Sequence, residues 1–340
     1  MAPALDMEGL RRIVGAPEFV APWLDRFYDD ADAAAVLAAV DGRLAAGRPL
    51  SAVEPEGAVA RAFRRGVIDP GPDGAWVPAD FHRRLEIWAL FEGWMDVPPE
   101  IRARLNAWEM DHYAAGHAGQ VAALCGGGPV DPHQVWPRYL LLHEAEALLE
   151  KAAAVYLWPC NCRAMMQGCR KPGLTCLRFS NDRGLGWEIS KSRAREIAQD
   201  AHRKGLMQVG EIGVGPDGGI TGALCNCCPD CCYPQQLSAR LGAAALWPLR
   251  RYEAVHLPDR CTACGRCVKR CPFGLFSLSG PKRSRTLAFD AAACRGCGIC
   301  ATVCPEDAIQ MKPLPSYHPL VRERGYPDIE TDGRYDPTGS

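Results

Sequence analysis

Two cysteine runs between residues 261 and 304 constrain this chain more than any other feature. The first reads Cys261-Thr-Ala-Cys264-Gly-Arg-Cys267-Val-Lys-Arg-Cys271-Pro272, and the second Cys294-Arg-Gly-Cys297-Gly-Ile-Cys300-Ala-Thr-Val-Cys304-Pro305. Both are C-x2-C-x2-C-x3-C-P, and every cysteine of the second lies 33 positions after its counterpart. Three thiolates two residues apart fit one looped segment wrapped on a face of a metal cluster. The fourth, past a three-residue gap and stopped by proline, points away from that face. Zinc sites draw four ligands from two hooks, not from consecutive runs of four ending in proline. Gly265 and Gly298 occupy the same repeat slot, where a missing Cβ lets the backbone approach closely.

The two runs resemble the bacterial-type dicluster ferredoxins, whose signature has this spacing. The resemblance implies two [4Fe–4S] clusters with crossed ligation. Cys261, Cys264, Cys267 and Cys304 would hold one cluster; Cys294, Cys297, Cys300 and Cys271 would hold the other. It also implies that the crossing stitches the two halves together, so that cluster loss unfolds them. With four cysteines per cluster no iron has a position free for substrate, which points to one-electron transfer.

At 340 residues the chain has room for two or three domains with their own cores. Its formal charge of −1 offers no basic field that would make nucleic acid the default partner. No apolar run approaches the ~18–20 residues of a membrane span. The N-terminal residues carry no apolar export segment. Eighteen cysteines in such a chain point to metal centres and reduced thiols, since disulfide frameworks suit small secreted proteins, and the expected compartment is the cytoplasm.

The pattern predicts an α+β protein: a helical, winged-helix-like domain over 1–125, a cysteine-rich α/β domain over 135–250, a ferredoxin-like 2[4Fe–4S] domain over 251–312, and an extended tail over 313–340. In the first, helical spacing covers 33–46, a second helix runs from near Glu56 to Gly66, and two short strands lie between Val67 and Pro78. Helices follow over 82–94 and 99–123. Arg61, Arg64 and Arg65 on the second helix are the side chains a DNA-binding reading would need, but Glu54, Glu56 and Asp69 flank them, which favours a solvated or protein-docking face. Gly126–Pro132 reads as a linker and 140–153 as an amphipathic helix. His143 and Glu144 lack the second histidine of a zinc-protease motif and read as surface residues. A strand over 155–158, a helix over 192–204 closed by Gly205 and a strand over 206–209 complete the middle part. Gly213-Val-Gly215-Pro-Asp-Gly218 matches a dinucleotide-binding pattern, yet its Pro-Asp-Gly-Gly reads as a hairpin tip.

A second cysteine field fills residues 160–232: Cys160, Cys162, Cys169, Cys176, Cys225, Cys227, Cys228, Cys231 and Cys232. Nine thiols this dense in a reducing compartment point to metal. Three chemistries fit: a further iron–sulfur cluster, a four-thiolate zinc, or a reactive thiol, with Arg163 beside Cys162 favouring a thiolate. In the neighbouring pairs Cys227-Cys228 and Cys231-Cys232 the α-carbons are ~3.8 Å apart and the side chains diverge, so one small ion takes only one of each pair. The order C-x-C-R…C…C…C-N-C-C-x2-C-C ahead of a dicluster segment resembles a group of long 4Fe–4S proteins of anaerobic bacteria over residues 135–312.

Three functions follow from these features. The first is an electron-transfer protein, a ferredoxin-like subunit or partner of a larger cytoplasmic oxidoreductase. The second is an oxidoreductase with its active site in Cys160–Cys232 fed by the ferredoxin domain. The third is a redox-sensing regulator acting through the winged-helix-like part. Over 256–312 nine basic side chains face four acidic ones, and two clusters of about −2 each bring the loaded domain near neutrality, so charge does not choose a docking partner.

Overall fold

The computed structural model describes residues 6–44, 57–126, 137–215, 218–243, 247–281 and 283–314. The chain divides into two compact units. The first runs to His112 and also takes in 164–166 and 181–185; the second holds the rest.

In the first unit α1 (Met7–Ile13) starts at Asp6, whose carboxylate accepts from Gly9 N, and α2 (Leu24–Phe27) follows. Helix α3 (Asp30–Val40) begins earlier than its apolar pattern suggests, because Asp29 and Asp32 form a reciprocal cap at its start. It ends at Val40, and the expected continuation beyond residue 44 lies outside the described residues. Helix α4 (Ala58–Arg64) gives way to Gly66, whose φ of +72° admits little but glycine. Strands β1 (Ile68–Pro70) and β2 (Trp76–Pro78) pair antiparallel, and α5 (Phe81–Phe91) follows an Asp80 cap. Phe27 meets Phe81 edge-on and Trp88 at a tilt, in one core with Leu10, Leu24, Leu85 and Leu105.

The arginines of α4 have partners that no sequence neighbour suggested. Arg61 pairs with Asp29 and the fully buried Asp32, and Arg65 pairs with Asp32 and Glu92. Asp69 instead binds Arg183. Two of the three cations a DNA reading needs are thus held in ion pairs within the first unit. Glu54 and Glu56 lie outside the described residues.

Helix α6 (Pro99–Gly126) leads towards the second unit, and the expected linker after Gly126 is outside the described residues. The second unit is built on six antiparallel strands: β3 (Arg138–Leu140), β4 (Val155–Pro159), β5 (Leu174–Arg178), β6 (Trp187–Ile189), β7 (Met207–Val214) and β8 (Ile220–Cys227), in the order β3-β7-β8-β5-β4-β6. Helices α7 (Leu142–Lys151), α8 (Asn161–Met166) and α9 (Lys191–Arg203) interrupt them. The stripe Ala145, Leu148 and Leu149 of α7 packs with Ala194, Ile197 and Ala198 of α9 over Leu157, Leu177, Ile212 and Leu224 of the sheet.

Three expectations change here. Leu140 belongs to a strand, so the helix starts at Leu142. The strand after Gly205 extends to Val214, because β7 and β8 form one long hairpin, Met207↔Cys227 to Val214↔Ile220. Its tip carries the glycine-rich stretch, of which 216 and 217 lie outside the described residues. Third, Glu144 is not a surface residue: it is fully buried, its carboxylate accepting from Arg251 (2.6 Å), the Tyr252 hydroxyl (3.0 Å) and Leu141 N (2.8 Å). A local pattern shows no partner 107 residues away. His143 is half-buried.

After α10 (Tyr233–Arg240), β9 (Tyr252–His256) pairs antiparallel with β12 (Ile309–Pro313) at the far end of the cysteine runs. Between them lie α11 (Arg266–Arg270) and the hairpin of β10 (Phe276–Ser279) and β11 (Thr286–Phe289); residue 282 of the expected basic loop lies outside the described residues. Mixed helix and strand, ending in a ferredoxin-like segment, is therefore the architecture. Among the described residues no helix is long and apolar enough to cross a membrane.

Candidate metal centre

The two C-terminal runs fold into paired half-sites. Cys261, Cys264, Cys267 and Cys304 line one cavity, while Cys294, Cys297, Cys300 and Cys271 line another. The loop starts repeat one another. Ala263 N donates to Cys261 Sγ and Gly296 N to Cys294 Sγ, both at 3.4 Å, and both residues sit at positive φ. Such N–H···S bonds stabilise charge on thiolate sulfur. Phe273, Phe276, Phe289 and Met311 close the second cavity with apolar surface. Burial pushes the Cys267 thiol up to about 11 and Cys297 up to about 12. These thiols hold their protons until iron displaces them.

Gly265 and Gly298 border the cavities at positive φ, and a Cβ there would meet Leu278 (2.9 Å) and Leu141 (2.7 Å). Gly296 is tighter, since a Cβ would overlap the Tyr252 carbonyl. Gly296→Ala is expected to destabilise the loaded protein by about 2–3 kcal/mol through backbone displacement. Ala263→Gly, at the matching slot of the first run, should change stability by less than ~1 kcal/mol, since glycine accepts that positive φ. Thermal loss of visible absorbance in the two variants checks this: equal midpoints would show that the Tyr252 contact is unimportant.

Chemistry of the donor set decides what the cavities hold. Among the described residues, none of these eight cysteines joins a group of three ligating atoms that all lie within 4.8 Å of one another, the closeness a single ion demands. Eight thiols lining two separate cavities, four in each, instead suit clusters in which each sulfur meets a different iron.

The nine middle cysteines separate. Cys169, Cys228 and Cys231 form the one such compact group among the described residues, with Cys169 and Cys228 sulfurs 3.6 Å apart. The others form a looser string, in which Cys160 and Cys162, Cys176 and Cys225, Cys225 and Cys227, and Cys227 and Cys232 shift one another's ionisation. Adjacent pairs thus diverge as their backbone geometry predicts. Cys225 and Cys227 share one face of β8, while Asn226 on the other bonds Thr175 O and Gln208. Hydrogen bonds from Cys176 and Cys227 hold the Cys225 thiol well below its ordinary range, whereas bonding to Cys160 and burial push Cys162 well above it.

Several residues that sequence patterns did not mark surround this string. Tyr139 of β3 shares a buried core with Cys227, Cys232, Met207, Val209, Cys297 and Ile299. Its hydroxyl accepts from Gln235 Nε2 at 2.5 Å, and its ionisation responds to both Cys297 and Cys232. The Tyr113 hydroxyl is buried without a hydrogen-bond partner among the described residues, and burial, Glu211 and the thiols of Cys232, Cys162 and Cys225 hold its ionisation well above the ordinary range. An orphaned donor next to thiols fits an anionic centre there. His202 ties α9 to the second run through Gln208 (2.7 Å) and Thr302 (2.8 Å), and Arg270 caps α9 at the carbonyls of His202 and Arg203.

A domain with two half-sites of crossed cysteines is an iron–sulfur electron carrier by class. Residues 260–309 match the family model described as a 4Fe-4S dicluster domain. Over 56 residues the chain is 36% identical to a ferredoxin of Methanothermococcus thermolithotrophicus, covering 88% of that protein and 16% of this one. It is 35% identical over 54 residues to an uncharacterized ferredoxin of Methanocaldococcus jannaschii, covering 70% of it and 16% of this chain. Similarity also extends to the pyruvate synthase subunit PorD of Methanothermobacter marburgensis, 37% over 54 residues, 58% of that subunit and 16% of this chain. Through this segment the chain belongs to the ferredoxins with two [4Fe–4S] clusters.

Proposed function

We propose that the chain is a cytoplasmic electron-transfer protein, a ferredoxin-like subunit or partner of a larger oxidoreductase, that passes electrons onward into its own middle thiols. Cys261, Cys264, Cys267 and Cys304 hold one cluster and Cys294, Cys297, Cys300 and Cys271 the other. A third redox centre forms on the string that contains Cys162, Cys225, Cys227 and Cys232. One observation carries the reading: Cys297, at the second cavity, lies in the same buried core as Cys227 and Cys232, which also holds Tyr139. A shared buried core suits electron transfer between centres. Similarity to PorD, a subunit of pyruvate synthase by name, supports a partner role.

The residues of α3 to β2 keep the order of a winged helix, which we read as a protein-docking module. The ion pairs of Arg61 and Arg65 weaken the regulator alternative, which needs those cations free.

Anaerobic reductive titration followed by electron paramagnetic resonance tests the relay. The full chain should take up more than two electrons, and Cys232→Ser should return the uptake to two while both ferredoxin signals persist. Two electrons in the unaltered chain would overturn the third centre. A chain without iron would overturn the whole reading.

A further inference from the structure

We propose that the middle cysteines form two centres of different chemistry, and that Cys169, Cys228 and Cys231 bind a single zinc ion apart from the redox string. The assignment rests on the reading above only for the role of the other thiols. Zinc–thiolate bonds of about 2.3 Å in a tetrahedron put the sulfurs ~3.8 Å apart. Cys169 and Cys228 stand at 3.6 Å, and all three sulfurs lie within 4.8 Å of one another. Cluster ligands bind different irons and stand wider, as the two ferredoxin sets do.

The backbone makes the site. Cys228-Pro-Asp-Cys231 is a two-residue hook at the end of β8, turned so that Cys232 N bonds Cys228 O. Cys169 arrives from the loop after α8, which leaves its helix at Gln167 with φ of +50°. Cys228 and Cys231 are each 1% exposed while Cys169 is half-buried, so the fourth position opens at Cys169 and takes water.

Charge supplies an independent argument. A divalent ion on three thiolates carries a net −1. Arg163, 5% exposed, is held by the carbonyls of Pro172 and Asn226 and by Thr175 Oγ1, and Cys160, Cys228 and Cys169 all favour its charged form. Its Nε is buried with no partner among the described residues. A buried guanidinium fixed near Cys228 and Cys169 fits an anionic metal–thiolate centre there. Zinc has no redox step, which suits a group set apart from the core that holds Cys297.

Metal analysis of the anaerobically purified full chain, with zinc-edge X-ray absorption, tests this. About one zinc per chain is expected, bound by three sulfurs and one oxygen. Cys231→Ala should lower zinc at least tenfold and leave the iron of the ferredoxin clusters unchanged. Should that variant fail to fold, cobalt incorporated into the unaltered chain should show a thiolate-to-cobalt charge-transfer band of a tetrahedral site. Absence of zinc, a fourth sulfur on it, its retention in the variant, or no cobalt band would each overturn the assignment. Zinc missing beside a third electron defeats this inference alone; zinc present with uptake of only two electrons defeats the relay alone.

Discussion

Cys297→Ser is expected to remove the second cluster and cut the middle thiols off from electrons. Cys297 lines the second cavity and stands in the core with Cys227 and Cys232, so its loss acts on both. The serine hydroxyl, buried without a thiolate's affinity for iron, adds a desolvation cost of about 1–3 kcal/mol. Iron from the dicluster segment should fall by about half, and because the fold is linked to its metal, the melting transition should broaden and move down. Cys264→Ser makes the comparison, since Cys264 lines the first cavity and is exposed. It should lose the other cluster but leave electron entry to the middle string intact. If the two variants lose iron alike and both still reduce the third centre, Cys297 is not the point of exit.

Glu144→Ala carries the largest stability effect we expect outside the clusters. The carboxylate is fully buried and accepts from Arg251, Tyr252 and the backbone of Leu141, binding α7 to the first strand of the ferredoxin segment. Removing it takes one acceptor each from a guanidinium, a phenol and a buried N–H. Loss of one partner of a buried pair costs about 3–5 kcal/mol. Glu144→Gln keeps the shape and one acceptor oxygen, and should cost roughly half as much. Denaturant unfolding of the loaded chain measures both. A change below ~1 kcal/mol for alanine would mean that the clamp is dispensable.

Glu144 also marks where reading a chain by its neighbours stops. The same side chain looks like a surface residue beside His143, because nothing within a helical turn of it is a cation. Arg251 comes from 107 positions away. The arginines of α4 repeat the lesson: Arg61 and Arg65 resemble a solvated or nucleic-acid-facing row until Asp32, buried on a helix 29 residues earlier, pairs with them. Strand β3 stayed hidden because three residues carry too short a pattern to separate from the helix that follows.

Residue order alone determined the two ferredoxin half-sites, since metal-ligand spacing is local: a loop of two-residue gaps holds three thiols on one face wherever the loop sits. It also determined that neighbouring cysteines in the middle field diverge, because that follows from adjacent α-carbons. Which thiols then met was a matter for the tertiary structure alone. Cys169 reaches Cys228 across 59 residues, and Cys297 reaches Cys227 and Cys232 only because β3, β7 and β8 bring Tyr139, Met207 and Val209 together around them. Long-range packing chooses among partners that are equal in chemistry, and no local periodicity carries that choice.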